Sequence, residues 1–255
     1  MKTTIVNQSD LYSEGRWDID YHLPAEGIKQ YPLAVLQPVS KAATVVKTKK
    51  DPTKKPDEEF RYIDISCVDT STGTVTEPQE LLGSEAPSRA RKLVQAYDII
   101  ISTCRPTRGA IAVVPEKYHN EVCSTGFSVI RPKKGVNPFY LQFALRLASS
   151  LEQFRKFSTG SSYPAILDSD VLKTLIPLPD EATQNKIAAH ILKSLKERQD
   201  TINCANLAFS NNVHLVIESL GHQNSFNQVS EFSDHCFTTD EIYSRLIELE
   251  QRASN

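Results

Sequence analysis

The residues whose types could do chemistry are scattered, and each set stops short of a complete catalytic centre. Asn137-Pro138-Phe139-Tyr140 lacks one proline of the Asn/Asp-Pro-Pro-Tyr/Phe motif of adenine amino-methylases. Such an enzyme also needs a glycine loop that lets backbone amides approach its cofactor, and no Gly-x-Gly occurs in the chain. Pro56-Asp57 and Pro179-Asp180 could each open a Pro-Asp…Asp/Glu-x-Lys nuclease pattern, but no Asp/Glu-x-Lys follows either pair. There is no Walker loop to cradle a phosphate, no Gly-x-Ser-x-Gly elbow and no His-Glu-x-x-His. His119 precedes Cys123 by four residues, yet no second pair nearby completes a four-ligand zinc site. His119 and His190 lack a catalytic partner and read as structural or surface residues. Cys67, Cys104, Cys123, Cys204 and Cys236 are an odd, irregularly spaced set, as expected of reduced and mostly buried thiols in a cytoplasmic protein. The expectation is a protein with no catalytic residues, no metal and no cofactor of its own.

What remains is cationic chemistry. The formal net charge is -2, but the charge is unevenly spread. Residues 1–179 hold 23 basic and 20 acidic side chains, residues 180–255 hold 6 and 11, and residues 89–134 hold nine and three. Local charge on one face matters more to a polyanion than the total does. Six lysines between Lys41 and Lys55, against Asp51 alone, form a second basic stretch that reads as an exposed, proline-punctuated loop.

These side chains must be positioned by short elements. Trp17, Ile19 and Tyr21 alternate as in a strand. Ile63, Ile65 and Cys67 alternate with Tyr62, Asp64 and Ser66 before a turn at Gly73. LVQAYDIIIST, GAIAVV and EVCSTGFSVI predict further strands, as in a compact mixed sheet or barrel. Asn137 and Pro138 suit the N-cap and first position of a helix, and Phe139, Phe143 and Leu147 continue it at helical spacing through FYLQFALRLASSLEQFRKF. DSDVLKTL predicts one short helix more.

IPLPDEATQNKI marks the clearest boundary. Two prolines hold an extended entry, Asp180 can cap, and neither Gly nor Pro recurs before Gly221. A helix over 180–220 would run roughly 60 Å. Ala188, Ile191, Leu195, Ile202, Ala205, Phe209 and Val216 form one seam, interrupted by Gln184, Arg198, Asn212 and Ser219. An imperfect seam suits pairing with one partner helix, intramolecular or from another copy. Over 221–255 a polar loop leads to a short helix, with Thr238 and Glu241 as a capping box and Ile242, Leu246 and Leu249 as its apolar stripe. The fold class expected is α+β: a mixed-sheet domain over 1–179, a long helical spacer over 180–220 and a docking helix at the C-terminus. The N-terminus predicts no secretory signal, and no run approaches the roughly 20 apolar residues that span a bilayer.

Several stretches, taken in order over roughly residues 15–220, resemble one recognition domain and one long helix of a type I restriction-modification specificity subunit. They are Trp17 to Tyr21, Tyr62 to Ser66, and Ser88-Arg89-Ala90-Arg91 followed by Val94 to Thr103, in which Tyr97 stands where glycine is usual. Arg105-Pro106, Ser124 to Phe127, Thr159 to Pro164, and Ile176 to Pro179 with Gln184 and Ile187 continue the series. The resemblance implies a non-catalytic target-recognition domain that binds double-stranded DNA. Arg89, Arg91, Lys92, Arg105 and Arg108 would make contacts to phosphates or bases, helped by Ser124, Thr125, Ser161, Ser162 and Tyr163 in hydroxyl-rich turns. Full-length members carry two such domains. One copy therefore implies a half-subunit that forms a homodimer through the seam named above and reads a split inverted repeat. Methylation subunits and a motor-nuclease subunit would be its partners and would bring S-adenosylmethionine, ATP and magnesium. Two rival readings stay open: an adaptor or inhibitor that occupies the specificity slot without reading DNA, and a methylase or nuclease fragment.

Overall fold

The computed structural model describes residues 4–160 and 162–219. In chain order, α1 (Gln8–Glu14) and α2 (Ile19–His22) precede β1 (Leu36–Pro38), α3 (Val39–Ala42) and β2 (Ala43–Val45). Next come β3 (Glu59–Ile63), β4 (Val68–Asp69), β5 (Thr74–Val75), β6 (Gln79–Leu82), β7 (Ala90–Leu93), β8 (Ile99–Ser102), β9 (Ile111–Val113), β10 (Val122–Ser124) and β11 (Phe127–Pro132). Helices α4 (Pro138–Arg146), α5 (Ala148–Phe157) and α6 (Asp168–Lys173), strand β12 (Leu175–Pro177) and helix α7 (Glu181–Ser219) follow. The α+β class expected from the sequence is present.

Two four-stranded sheets, ordered β6-β3-β10-β7 and β2-β11-β8-β9, hold the first part of the chain together. Within them only the β3–β10 pair is parallel. The backbone beyond β2 links the sheets: Val46 donates to the Val129 carbonyl of one, then Thr48 and Lys50 bond with Leu93 and Arg91 of the other. The basic stretch is thus anchored along β7 at its start rather than hanging free as a loop.

The run Ile99-Ile100-Ile101 explains why the second sheet lacks a polar face. Ile99 and Ile101 pack under α4, α5 and α6, with Ile111, Ile130, Leu141, Leu145 and Phe154. Ile100 faces the other sheet, among Ile63, Val94, Cys123, Phe127 and Val129. A strand covered on both sides reads as a continuous apolar run. Burying each isoleucine contributes roughly 1.5–3 kcal/mol.

Four local expectations need correction. Trp17, Ile19 and Tyr21 do not form a strand, because the Asp18 carboxylate accepts from Tyr21 N at 3.0 Å and starts α2. The strand near residue 63 stops at Ile63, and Ile65–Cys67 is a tight helical turn. EVCSTGFSVI is two strands in different sheets, parted at Gly126. The helix begun by Asn137 breaks at Leu147, whose extended ψ of 145° separates α4 from α5. By contrast, Asn137 does cap α4, accepting from Phe139 N and Tyr140 N at 3.0 and 3.2 Å. Asp180 likewise accepts from Thr183 N at 2.8 Å.

Contacts divide the chain into two compact units, Met1–Lys196 and Glu197–Asn255. The first therefore includes the opening turns of α7 as well as the expected 1–179 domain. The expected helix and loop over 221–255 lie outside the described residues.

Candidate nucleic-acid interface

In the first unit the two sheets share two ends. At one end, β7 begins, β8 and β10 finish, and β11 and β9 begin. Backbone hydrogen bonds stitch the turns here into one surface. Thr125 N donates to the Arg89 carbonyl at 2.9 Å, and Thr103 gives both its N–H and its hydroxyl to the Gly126 carbonyl at 2.8 Å. Ile166 N then donates to the Thr103 carbonyl at 3.0 Å, and Arg105 N to the Pro164 carbonyl at 2.7 Å. Thr159 and Ala165 exchange two hydrogen bonds, closing the loop that presents Ser162 and Tyr163. Sequence reasoning named the turns but missed Thr103, whose signal was only a hydroxyl at the end of an apolar strand.

Charge pairing separates the arginines sharply. Arg16 pairs with Asp18, Arg61 with Glu80, Arg91 with Asp51, Arg131 with Asp98, and Arg155 with Asp20 and Glu152. Arg146 donates to the Thr70, Ser71 and Thr72 carbonyls. Within the first unit only Arg89, Arg105 and Arg108 have neither a carboxylate nor a carbonyl partner for the side chain among the described residues. All three belong to the stitched turns. Arg89 and Arg108 are exposed, and the Arg105 guanidinium lies 4.9 Å from the Tyr163 ring centroid. Tyr163 is 74% exposed.

The remaining sequence-named residues are placed differently. Lys92 gives its ammonium to the Phe127 carbonyl, and Arg91 also donates to the Pro87 and Ala90 carbonyls. Ser124 is buried and its hydroxyl accepts from Gly126 N, so it shapes the turn, whereas Thr125 and Ser162 are exposed. Ser161 lies outside the described residues. Lys49 bridges to Lys92 beside this surface and is exposed.

The opposite end joins the long helix. Asn137 N donates to Gln184 Oε1 at 3.0 Å, Gln184 Nε2 donates to the Pro179 carbonyl at 2.8 Å, and Ala188 is buried in the domain core. Gln184 and Ala188 therefore face the domain, and the Ala188 methyl is covered there. Ile191 and Leu195 line a cavity of about 320 Å³ with Tyr97, Phe139 and Val113. In the second unit Ile202, Phe209 and Val216 are 36%, 54% and 59% exposed, and Ala205 is exposed too. Tyr97 adopts φ +67°, the left-handed conformation that glycine takes without penalty.

His119 Nδ1 accepts from Ala96 N, and burial pushes the Cys123 thiol up to about 12. Among the described residues no cluster of His, Cys, Asp or Glu could hold a metal ion, and no helix is long and apolar enough to cross a membrane.

Comparison with known proteins places this arrangement. Residues 39–208 match the family described as type I restriction modification DNA specificity domain. Over 106 residues the chain is 32% identical to the type I restriction enzyme HindI specificity subunit of Haemophilus influenzae, covering 40% of this chain and 23% of that protein. The HsdS subunit from Thermoanaerobacter tengcongensis superposes with a TM-score of 0.58 at 33% identity, over 76% of this chain and 50% of that one. A chain from a structure addressing complex assembly and conformational transition of the type I R-M system gives 0.58 at 32% identity, over 78% and 51%. This chain thus spans about half the length of the solved relatives and less of the curated one.

Proposed function

Since the chain belongs to the type I restriction modification DNA specificity family, we propose that it recognises DNA for a restriction-modification or methylation complex and carries no catalytic centre itself. The observation that carries this reading is the one end of the domain where three arginines remain unpaired on stitched turns. Leaving cations without partners in a chain with 31 acidic residues makes sense where a polyanion completes the site. Arg89 and Arg108 would neutralise phosphates, with Thr125 and Ser162 close enough in the same turns to add hydrogen bonds. Lys49, beside Lys92, extends the basic surface.

The finer proposal is a half-subunit that pairs with a second copy through Ile202, Ala205, Phe209 and Val216 and reads a split inverted repeat. The exposed apolar positions on α7 support it. Methylation subunits and a motor-nuclease subunit would dock on the assembly and supply the cofactor chemistry.

Sedimentation of the full chain with and without random-sequence duplexes, followed by sequencing of the retained DNA, tests both levels. A dimer that enriches a gapped inverted repeat is the expected result. A monomer that enriches one contiguous site would remove the half-subunit proposal and leave DNA recognition intact. Retention of no sequence would favour the adaptor or inhibitor reading, to which the small basic excess of residues 1–179 already points.

A further inference from the structure

We infer that Arg105, held over the Tyr163 ring, is the base-reading group of the arginine end and selects a guanine through the major groove. The assignment rests on the DNA-recognition reading above. Arg105 differs from Arg89 and Arg108 in how its backbone and side chain are held. Its φ of +48° and ψ of +53° are left-handed, a conformation that costs a residue with a β-carbon and persists only where surrounding structure fixes it. Two hydrogen bonds do so: Arg105 N donates to the Pro164 carbonyl, and the Arg105 carbonyl accepts from Arg108 N at 3.0 Å. Strain kept in a surface turn is a reason to look for a role in that side chain.

The ring contact supplies the role. The guanidinium lies over the Tyr163 ring, which restrains it, and no described residue accepts from its N–H donors. A planar fork held before contact loses less entropy on binding than a free one. Guanine offers two adjacent acceptors, O6 and N7, which match that fork. Adenine puts an N–H donor where O6 would be, leaving one arm of the fork unpaired. Arg89 and Arg108 lack such a contact and suit phosphates.

Selection from a random duplex library with the full chain tests this directly. The wild type should fix a guanine in each recognised half-site. Arg105→Gly suits the left-handed backbone, so folding should be kept, with a thermal midpoint unchanged or higher. It should relax preference at that guanine by roughly 5- to 150-fold and leave other positions as they were. Tyr163 is a positioning residue: Tyr163→Leu should relax the same position, and Tyr163→Phe, which keeps the ring, should retain it. An R105G motif that keeps the guanine, or binding weakened equally on all sequences, overturns the assignment while leaving DNA recognition standing. Loss of an A·T-rich position instead would mean insertion into a narrow minor groove and also overturns it. A wild type that selects nothing overturns the parent reading and this one with it.

Discussion

At the arginine end of the domain, Arg89, Arg105 and Arg108 stand without acidic partners on turns tied together by backbone hydrogen bonds. At the helix end of the same strands, Arg131 makes two hydrogen bonds of 2.7 and 2.9 Å to Asp98, which is 1% exposed. There the charge of Arg131 is consumed internally, and side-chain contacts such as those of Gln184 fasten α7 to the domain. The sheets are shared, so the contrast lies in what the connecting turns carry. A pairing that closes within the chain stabilises the scaffold, while one left open is available to a ligand. Each end also contains a non-glycine residue in a left-handed turn, Arg105 at one and Tyr97 at the other.

Removing the three open arginines should break the contrast most severely. The Arg89→Ala, Arg105→Ala, Arg108→Ala variant should lose about 100-fold in affinity for random duplex near physiological salt, and its salt slope should fall by about two, one for each phosphate-contacting arginine. Lys133→Ala with Lys134→Ala, at the helix end, should leave the slope unchanged; fluorescence anisotropy across a salt series reads both. If both triplet and pair shift the slope alike, the two ends are not functionally distinct.

A smaller effect should appear in stability. Arg131→Ala leaves the buried Asp98 carboxylate without its cation and with only the Gln95 N–H as donor, a change that costs 3–5 kcal/mol where both partners are buried. Arg131 itself is 44% exposed on its side chain, so about 2 kcal/mol is expected in urea denaturation, with any loss of DNA affinity following the unfolded fraction. By the same measurement Arg89→Ala should be neutral within about 0.5 kcal/mol.

The smallest effect isolates backbone strain. Tyr97 packs edge-on against Phe139 at 6.3 Å between ring centroids, so Tyr97→Gly and Tyr97→Ala both lose that contact. Only glycine relieves the left-handed turn, and the glycine variant should be the more stable by about 1 kcal/mol. Equal stabilities would show that the turn tolerates a β-carbon and that its conformation carries no strain.

The sequence by itself determined the local and the negative features. Missing catalytic motifs, the Asn137 and Asp180 caps, the proline-held entry to the long helix and the α+β order of elements all depend on neighbours within a few residues. The left-handed turn at Tyr97 had no signal in its neighbours; only the resemblance, in which glycine is usual at that position, pointed to it. Only the tertiary structure decided which cations are open. Arg91 and Arg89 are two residues apart in one basic run, yet the strand pairing that brings Asp51 beside Arg91 ties up one and not the other. The split of EVCSTGFSVI between two sheets and the burial of Ala188 against the core had no local signal either. Each depends on contacts between segments far apart in the chain, whose meeting is set by how the sheets bond and cover one another rather than by spacing along the sequence.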